Sequence, residues 1–158
     1  MKPIGTDSVV KIVHVVRNLE ATLDGMVEIF GIERPAVARG GAEDRAKTGG
    51  RFFTVFRGRD TAAPVLLANL RMGPIVVELI QPLDPATPWG EFLERRGEGI
   101  FSVVYEVSDF HGKMADLAGA GMPIYHQGEY QGGRYGYFDT AKSIGFALGL
   151  QESDASSP

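Results

Sequence analysis

Residues 74–107 read PIVVELIQPLDPATPWGEFLERRGEGIFSVVYEV. Two strand-like runs, Pro74–Gln81 and Ile100–Val107, are joined by a proline-rich turn and a short helical connector. The first run is apolar except for Glu78 and Gln81, the second except for Ser102 and Glu106. A carboxylate inside a β-run is costly unless it has a partner or faces a cavity. Glu78 is therefore the residue that most needs an explanation.

The chain on either side of this stretch reads as two versions of one pattern. Val9–Arg17 is β-branched and strand-like, and Asn18 caps a helix from Leu19 to Phe30 that Gly31 ends. Leu19, Leu23, Val27 and Phe30 fall on one face of that helix. Arg39–Gly50 reads as a loop. Arg51–Arg57, Pro64–Met72 and Pro74–Gln81 read as strands, with Gly73–Pro74 marking a hairpin. After the helical segment Trp89–Arg96 and a break at 97–99 the pattern restarts. It runs through the strand Ile100–Val107, Ser108 as a cap, a helix to Ala120, and strands at Ile124–His126, Gly133–Asp139 and Ile144–Leu150.

The expected architecture is α+β, two βαβββ modules forming a cupped mixed β-sheet. Residues 1–152 make one domain, with module one at about 9–82, a linker at 83–98, module two at about 99–152, and a disordered tail at 153–158.

Composition removes several classes of function. The 158 residues carry a net charge of -4, so no basic surplus points to nucleic acid. No apolar run approaches the ~20 residues of a membrane span. Cysteine is absent, so neither a disulfide framework nor a thiol nucleophile is available. The N-terminal residues lack the apolar core of a signal peptide, and the expected location is cytoplasmic.

Aligning RNLEATL (17–23) with SDFHGKM (108–114) sets Lys11 opposite Ser102 and Val13 opposite Val104. Strand alternation then sorts the side chains. Ile12, His14, Val16, Val103, Tyr105 and Val107 pack under the helices. Lys11, Val13, Val15, Ser102, Val104 and Glu106 point to the other face, where the last strand contributes Gly145, Ala147 and Gly149. A sheet face of such small residues, with one Lys and two Glu, predicts a ligand cup.

VVRNLEATL (15–23), VELIQPL (77–83), FLERRGEGI (92–100) and GGRYGYFDT (132–140), followed by Ile144–Leu150, together carry a family resemblance. In this order and spacing the chain resembles the vicinal oxygen chelate superfamily. This is the glyoxalase/bleomycin-resistance/dioxygenase group, and the resemblance is nearest the branch of methylmalonyl-CoA epimerases and their glyoxalase-like relatives. It covers roughly residues 9–152. It implies a divalent metal held by one ligand from each of four strands, at positions that fall on Lys11, Glu78, Ser102 and Gly149. The family has His, Glu or Gln, His and Glu there, and only Glu78 matches. A metal needs several oxygen or nitrogen donors. Lys11 repels it and Gly149 has no side chain, so the expectation is no metal and no cofactor. His14, His111 and His126 lack the spacing of an alternative site.

Lys11 and Glu78 are the expected catalytic pair, the ammonium stabilising charge on a carbonyl oxygen and the carboxylate accepting a proton. A buried pair kept for neutrality is the competing reading. Val13, Ser102, Val104, Glu106, His126, Tyr137 and Gly149 are the expected substrate-binding residues. Tyr135 and Tyr137 share one strand face, as phenol donors or as core. Arg51, Arg57, Arg59 and Arg71 read as surface charges or as partners of an anionic substrate. The expected function is a metal-independent glyoxalase-like enzyme (isomerase, epimerase, cyclase or lyase) acting next to a carbonyl of a small organic or acyl substrate. The alternative is a non-catalytic small-molecule binder of the bleomycin-resistance type. A homodimer is implied by the resemblance alone.

Overall fold

Asn18 accepts a hydrogen bond from the Ala21 N–H at 3.0 Å, and Gly31 closes the same helix in the left-handed region. These two residues bound α1 (Leu19–Phe30) where the sequence places it. The computed structural model describes residues 2–41 and 53–154. Its elements are β1 (Val9–Val15), α1, β2 (Ala38–Gly40), β3 (Phe53–Phe56), β4 (Arg59–Asp60), β5 (Val65–Met72), β6 (Ile75–Pro82), α2 (Pro88–Arg96), β7 (Gly99–Glu106), α3 (Phe110–Gly119), β8 (Ile124–Tyr130), β9 (Gly133–Phe138), α4 (Ala141–Ile144) and β10 (Ala147–Ser153).

All ten strands join one curled mixed sheet, in the order β2-β5-β6-β1-β7-β10-β9-β8-β3-β4. Strands β1 and β6 are parallel, as are β7 and β10; β1 and β7 meet antiparallel at the centre. The registers reproduce the internal repeat. Lys11 pairs with Val104 and Val13 with Ser102, and the shift that carries Lys11 onto Ser102 exchanges these two pairs. Likewise Val13 pairs with Glu78 as Val104 pairs with Gly149. Lys11, Glu78, Ser102 and Gly149 are therefore related by one approximate two-fold axis.

The two sheet faces carry different cores. Under α1 lie Val16, Ala68, Leu70 and Leu79; under α3 lie Val107, Phe138, Leu148 and Leu150. On the concave face Val13, Val15, Val65, Ile80, Val104, Tyr137 and Ala147 cluster with Trp89 of α2. Alternation sorts Val13, Val15, Val104 and Ala147 to the concave cluster and Val16, Val107, Leu148 and Leu150 to the helix side, with a bulge in β7. There the register slips between Val13–Ser102 and His14–Ile100, and Phe101 joins the concave cluster.

Four local expectations are corrected. The strand within Arg51–Arg57 does not pair inside its own module: β3 docks on β8, the far edge of the second module. The three-residue β2 takes the edge beside β5 and runs into the stretch read as loop; residues 42–52 lie outside the described ones. The cap of α3 is Asp109, whose carboxylate accepts from Gly112 N–H at 3.3 Å, and not Ser108. The final strand begins at Ala147, because residues 141–144 form a helical turn that Gly145 closes at φ 89°. It continues to Ser153, past the expected domain end, while residues 155–158 lie outside the described ones. No helix among the described residues is long and apolar enough to cross a membrane.

Candidate functional site

The concave face holds a cavity of about 450 Å³, inside the range of small-molecule sites. One wall is aromatic: Trp89, Tyr130, Tyr135 and Tyr137. The opposite wall carries Val65, Leu67, Asn69 and Ile80, with Lys11 and Glu78 at the centre.

The central pair sits on neighbouring parallel strands. Lys11 Nζ stands 3.4 Å from Glu78 Oε2, and the side chains are 22% and 13% exposed. The pair is thus mostly shielded from water and still reachable from the cavity. Asn69, opposite Glu78 on β5, adds a neutral polar group.

The phenols surround this pair. Burial, and then the nearby Glu78 carboxylate, raise the Tyr130, Tyr135 and Tyr137 hydroxyls above the ordinary phenol range, Tyr137 well above it. All three remain neutral donors at physiological pH. Behind them lies His126, fully buried, its Nε2 3.0 Å from the Tyr135 hydroxyl. Its ring stacks on Tyr137 at 6.0 Å and meets Trp89 edge-on at 5.1 Å. Burial depresses the imidazole to about 4, with a small opposing pull from the Val55 backbone, though Nδ1 has no partner in hydrogen-bond geometry. The imidazole is neutral at pH 7, and it holds the aromatic wall in place from behind.

Of the residues expected at the site, Lys11, Glu78, Val104 and Tyr137 line the cavity. The other five form the layer beneath or beside it. Val13 is fully buried in the concave core. Ser102 donates its hydroxyl to the Ala147 carbonyl at 2.7 Å. Gly149 is covered, since a Cβ there would meet Val104, Ser102 and the Tyr137 ring at 2.7, 2.8 and 3.2 Å. Glu106 is committed to the end of β10, accepting from Ser153 N–H at 2.8 Å and from Gln151 at 3.3 Å. His126 is a packing partner of the wall. Gly149 lies beneath the Tyr137 ring of β9, while Ser102 and Glu106 are held by hydrogen bonds to β10.

The sequence reading missed Trp89, Tyr130 and Asn69. Ending β8 at His126 hid Tyr130, which shares the parity of His126 and Gly128 on that strand. Gly128 leaves room for the Tyr135 ring, which a Cβ would approach to 2.8 Å.

The four positions at which the resemblance implies a metal, Lys11, Glu78, Ser102 and Gly149, do not fit a divalent cation. They offer an ammonium in contact with the carboxylate, a hydroxyl already bonded to a carbonyl, and no side chain at the fourth. Among the described residues no three His, Cys, Asp or Glu side chains converge elsewhere.

The family model described as the Glyoxalase/Bleomycin resistance protein/Dioxygenase superfamily matches residues 11–138. The chain belongs to that superfamily, the vicinal oxygen chelate group, which includes isomerases and epimerases. A hypothetical protein of Bacillus halodurans C-125 superposes with a TM-score of 0.62 at 17% identity, over 96% of this chain and 97% of that one. A Streptomyces coelicolor methylmalonyl-CoA epimerase in complex with 2-nitronate-propionyl-CoA gives 0.60 at 16%, over 94% and 98%. The methylmalonyl-CoA epimerase of Mycobacterium tuberculosis gives 0.58 at 16%, over 95% and 93%. At such identities the likeness concerns the fold. No curated protein sequence matches the chain.

Proposed function

We propose that the protein is a metal-independent enzyme that moves a proton next to a carbonyl of a small organic or acyl substrate. The observation that carries this reading is the Lys11–Glu78 contact of 3.4 Å inside a cavity of small-molecule size. Glu78 takes the proton from the carbon beside the carbonyl. The C–H electron pair becomes a C=C bond, and the carbonyl π pair moves to oxygen. The Lys11 ammonium and the neutral Tyr137 hydroxyl stabilise that oxygen. Return of the proton to the same carbon gives epimerisation, and return to a neighbouring atom gives isomerisation. Fold-level likeness to epimerases supports the reaction class and leaves the substrate open. The reading includes a cytoplasmic homodimer, which rests on the habits of the family and on a chain without cysteine.

The test is solvent deuterium exchange on small 2-substituted acyl thioesters and 2-oxo acids, followed by mass spectrometry. Exchange is expected with the wild type and is expected to fall by about 10²–10⁴ in Glu78→Gln, the range for loss of a general base. Exchange equal to that of the wild type in both Glu78→Gln and Lys11→Met would sink the proposal.

The aromatic wall supports a second reading, a binder of a flat apolar compound. That reading has both charges neutralised with little change in ligand affinity and no exchange with any substrate.

A further inference from the structure

A second cleft, of about 220 Å³, lies between α2 and the connection from β9 to β10. Its rim carries Arg57, Arg95, Arg96 and Lys142 against Glu91 and Asp139, and its lining includes Phe92, Phe101, Tyr125 and Phe146. We propose that this cleft is an anion site, separate from the large cavity, that takes a phosphate monoester carried on a flat ring.

Three observations carry the proposal. The first is charge. Arg57 is neutralised by Glu91 through two contacts of 2.7 Å. Among the described residues Arg95, Arg96 and Lys142 have no ion-pair partner. Set against Asp139 they leave a local surplus of two positive charges, on a chain whose net charge is -4. A phosphate monoester near neutral pH supplies about that charge in the opposite sense, ≈ −1.5 to −2. Cations at the end of a helix are favoured by its dipole, which accounts for Arg95 and Arg96 on α2. Lys142 lines the same cleft from a different element, the short α4.

The second is backbone geometry. Arg57 and Gly58 form the two-residue turn between β3 and β4 at φ 49° and 74°. Such positions favour Gly, Asn or Asp. An arginine held there, its guanidinium 4.9 Å from the Phe56 ring and 5.4 Å from the Tyr125 ring, is fixed at the cleft at a backbone cost. The third is the lining. Phe92 and Phe101 meet edge-to-face at 5.6 Å, and Tyr125 lies 6.3 Å from Phe101. Burial and Glu91 push the Tyr125 hydroxyl up to about 12, so it stays a neutral donor. The volume is below the ~300 Å³ at which drug-sized ligands begin, and suits a phosphate with one ring.

The test is titration of phenyl phosphate into ¹⁵N-labelled full-length protein at low salt. Saturable shifts are expected at the amides of residues 95–97 and 141–146, with a dissociation constant on the order of 0.1–1 mM. Arg96→Gln with Lys142→Gln is expected to weaken binding at least about tenfold, ~1.4 kcal/mol. Lys142→Glu alone, on an exposed turn, is expected to do the same. Phenol is expected to give no such shifts. Lys11→Met is expected to leave the titration unchanged, which separates this site from the proposed reaction. Unsaturable shifts, equal binding in the variants, or shifts centred on Lys11 and Glu78 would overturn the proposal.

Discussion

Tyr137 occupies the space into which a side chain at Gly149 would grow, its ring 3.2 Å from where a Cβ would stand. Gly149 is the position at which the resemblance implies a metal-binding glutamate. The ring from β9 fills that volume together with Val104 Cγ2 at 2.7 Å and Ser102 Oγ at 2.8 Å. Gly149→Glu is therefore expected to destabilise the protein by about 1–3 kcal/mol, the usual cost of overpacking a core. It is also expected to create no metal affinity. Urea denaturation with and without zinc checks both.

His126 makes stability depend on pH. Its folded value of about 4 lies below the ordinary 6.5. Between those values the unfolded chain binds more protons, so stability rises with pH there and is lost as pH falls through 6.5 toward 4. The full effect is about 3 kcal/mol at most, at 1.36 kcal/mol per pH unit. In thermal melts between pH 4 and 7.5, His126→Gln is expected to show a shallower acid slope than the wild type. Parallel slopes would mean the imidazole is not buried as described.

The phenols act at the other end of the scale. Tyr125, Tyr130, Tyr135 and Tyr137 all ionise above the ordinary value of 10.0 when folded. The folded state then holds protons that the unfolded state has released, so stability falls as pH rises above about 10. Ultraviolet titration of the native protein is expected to show the Tyr135 and Tyr137 phenols ionising only with unfolding. Reversible ionisation of all tyrosines near the ordinary value would contradict the closed aromatic wall.

Much of this was legible in the sequence. The repeat register set Lys11 opposite Ser102, and the family resemblance added Glu78 and Gly149 to them; the strand pairings bring the four together. The occupants of the space above them were not legible. Whether Gly149 is open floor or lies under a ring depends on Tyr137, which belongs to a neighbouring strand with no local signal of its position. Trp89 was hidden for the same reason, since a helix's tilt over a sheet edge is set by packing. The crossing of β3 to β8 was also invisible. A short apolar run such as FTVF carries no signal of which sheet edge it joins.

That crossing is fastened by Arg57 and Glu91, whose side chains are 50% and 20% exposed. Water screens such a pair, so Glu91→Ala is expected to cost no more than about 1 kcal/mol globally. Its larger effect is local, with faster amide hydrogen exchange in β3 and β4 than in β8 and β9. Uniform acceleration across the sheet would show that the hairpin is held by other contacts.

The central claim is that Lys11 and Glu78 form an ion pair where the family resemblance implies a divalent ion. Calorimetric titration of zinc into the wild-type protein tests it most directly. The account predicts no saturable site at the cavity, and the same flat titration for Glu78→Gln. One equivalent of zinc bound by the wild type and lost in Glu78→Gln would contradict it.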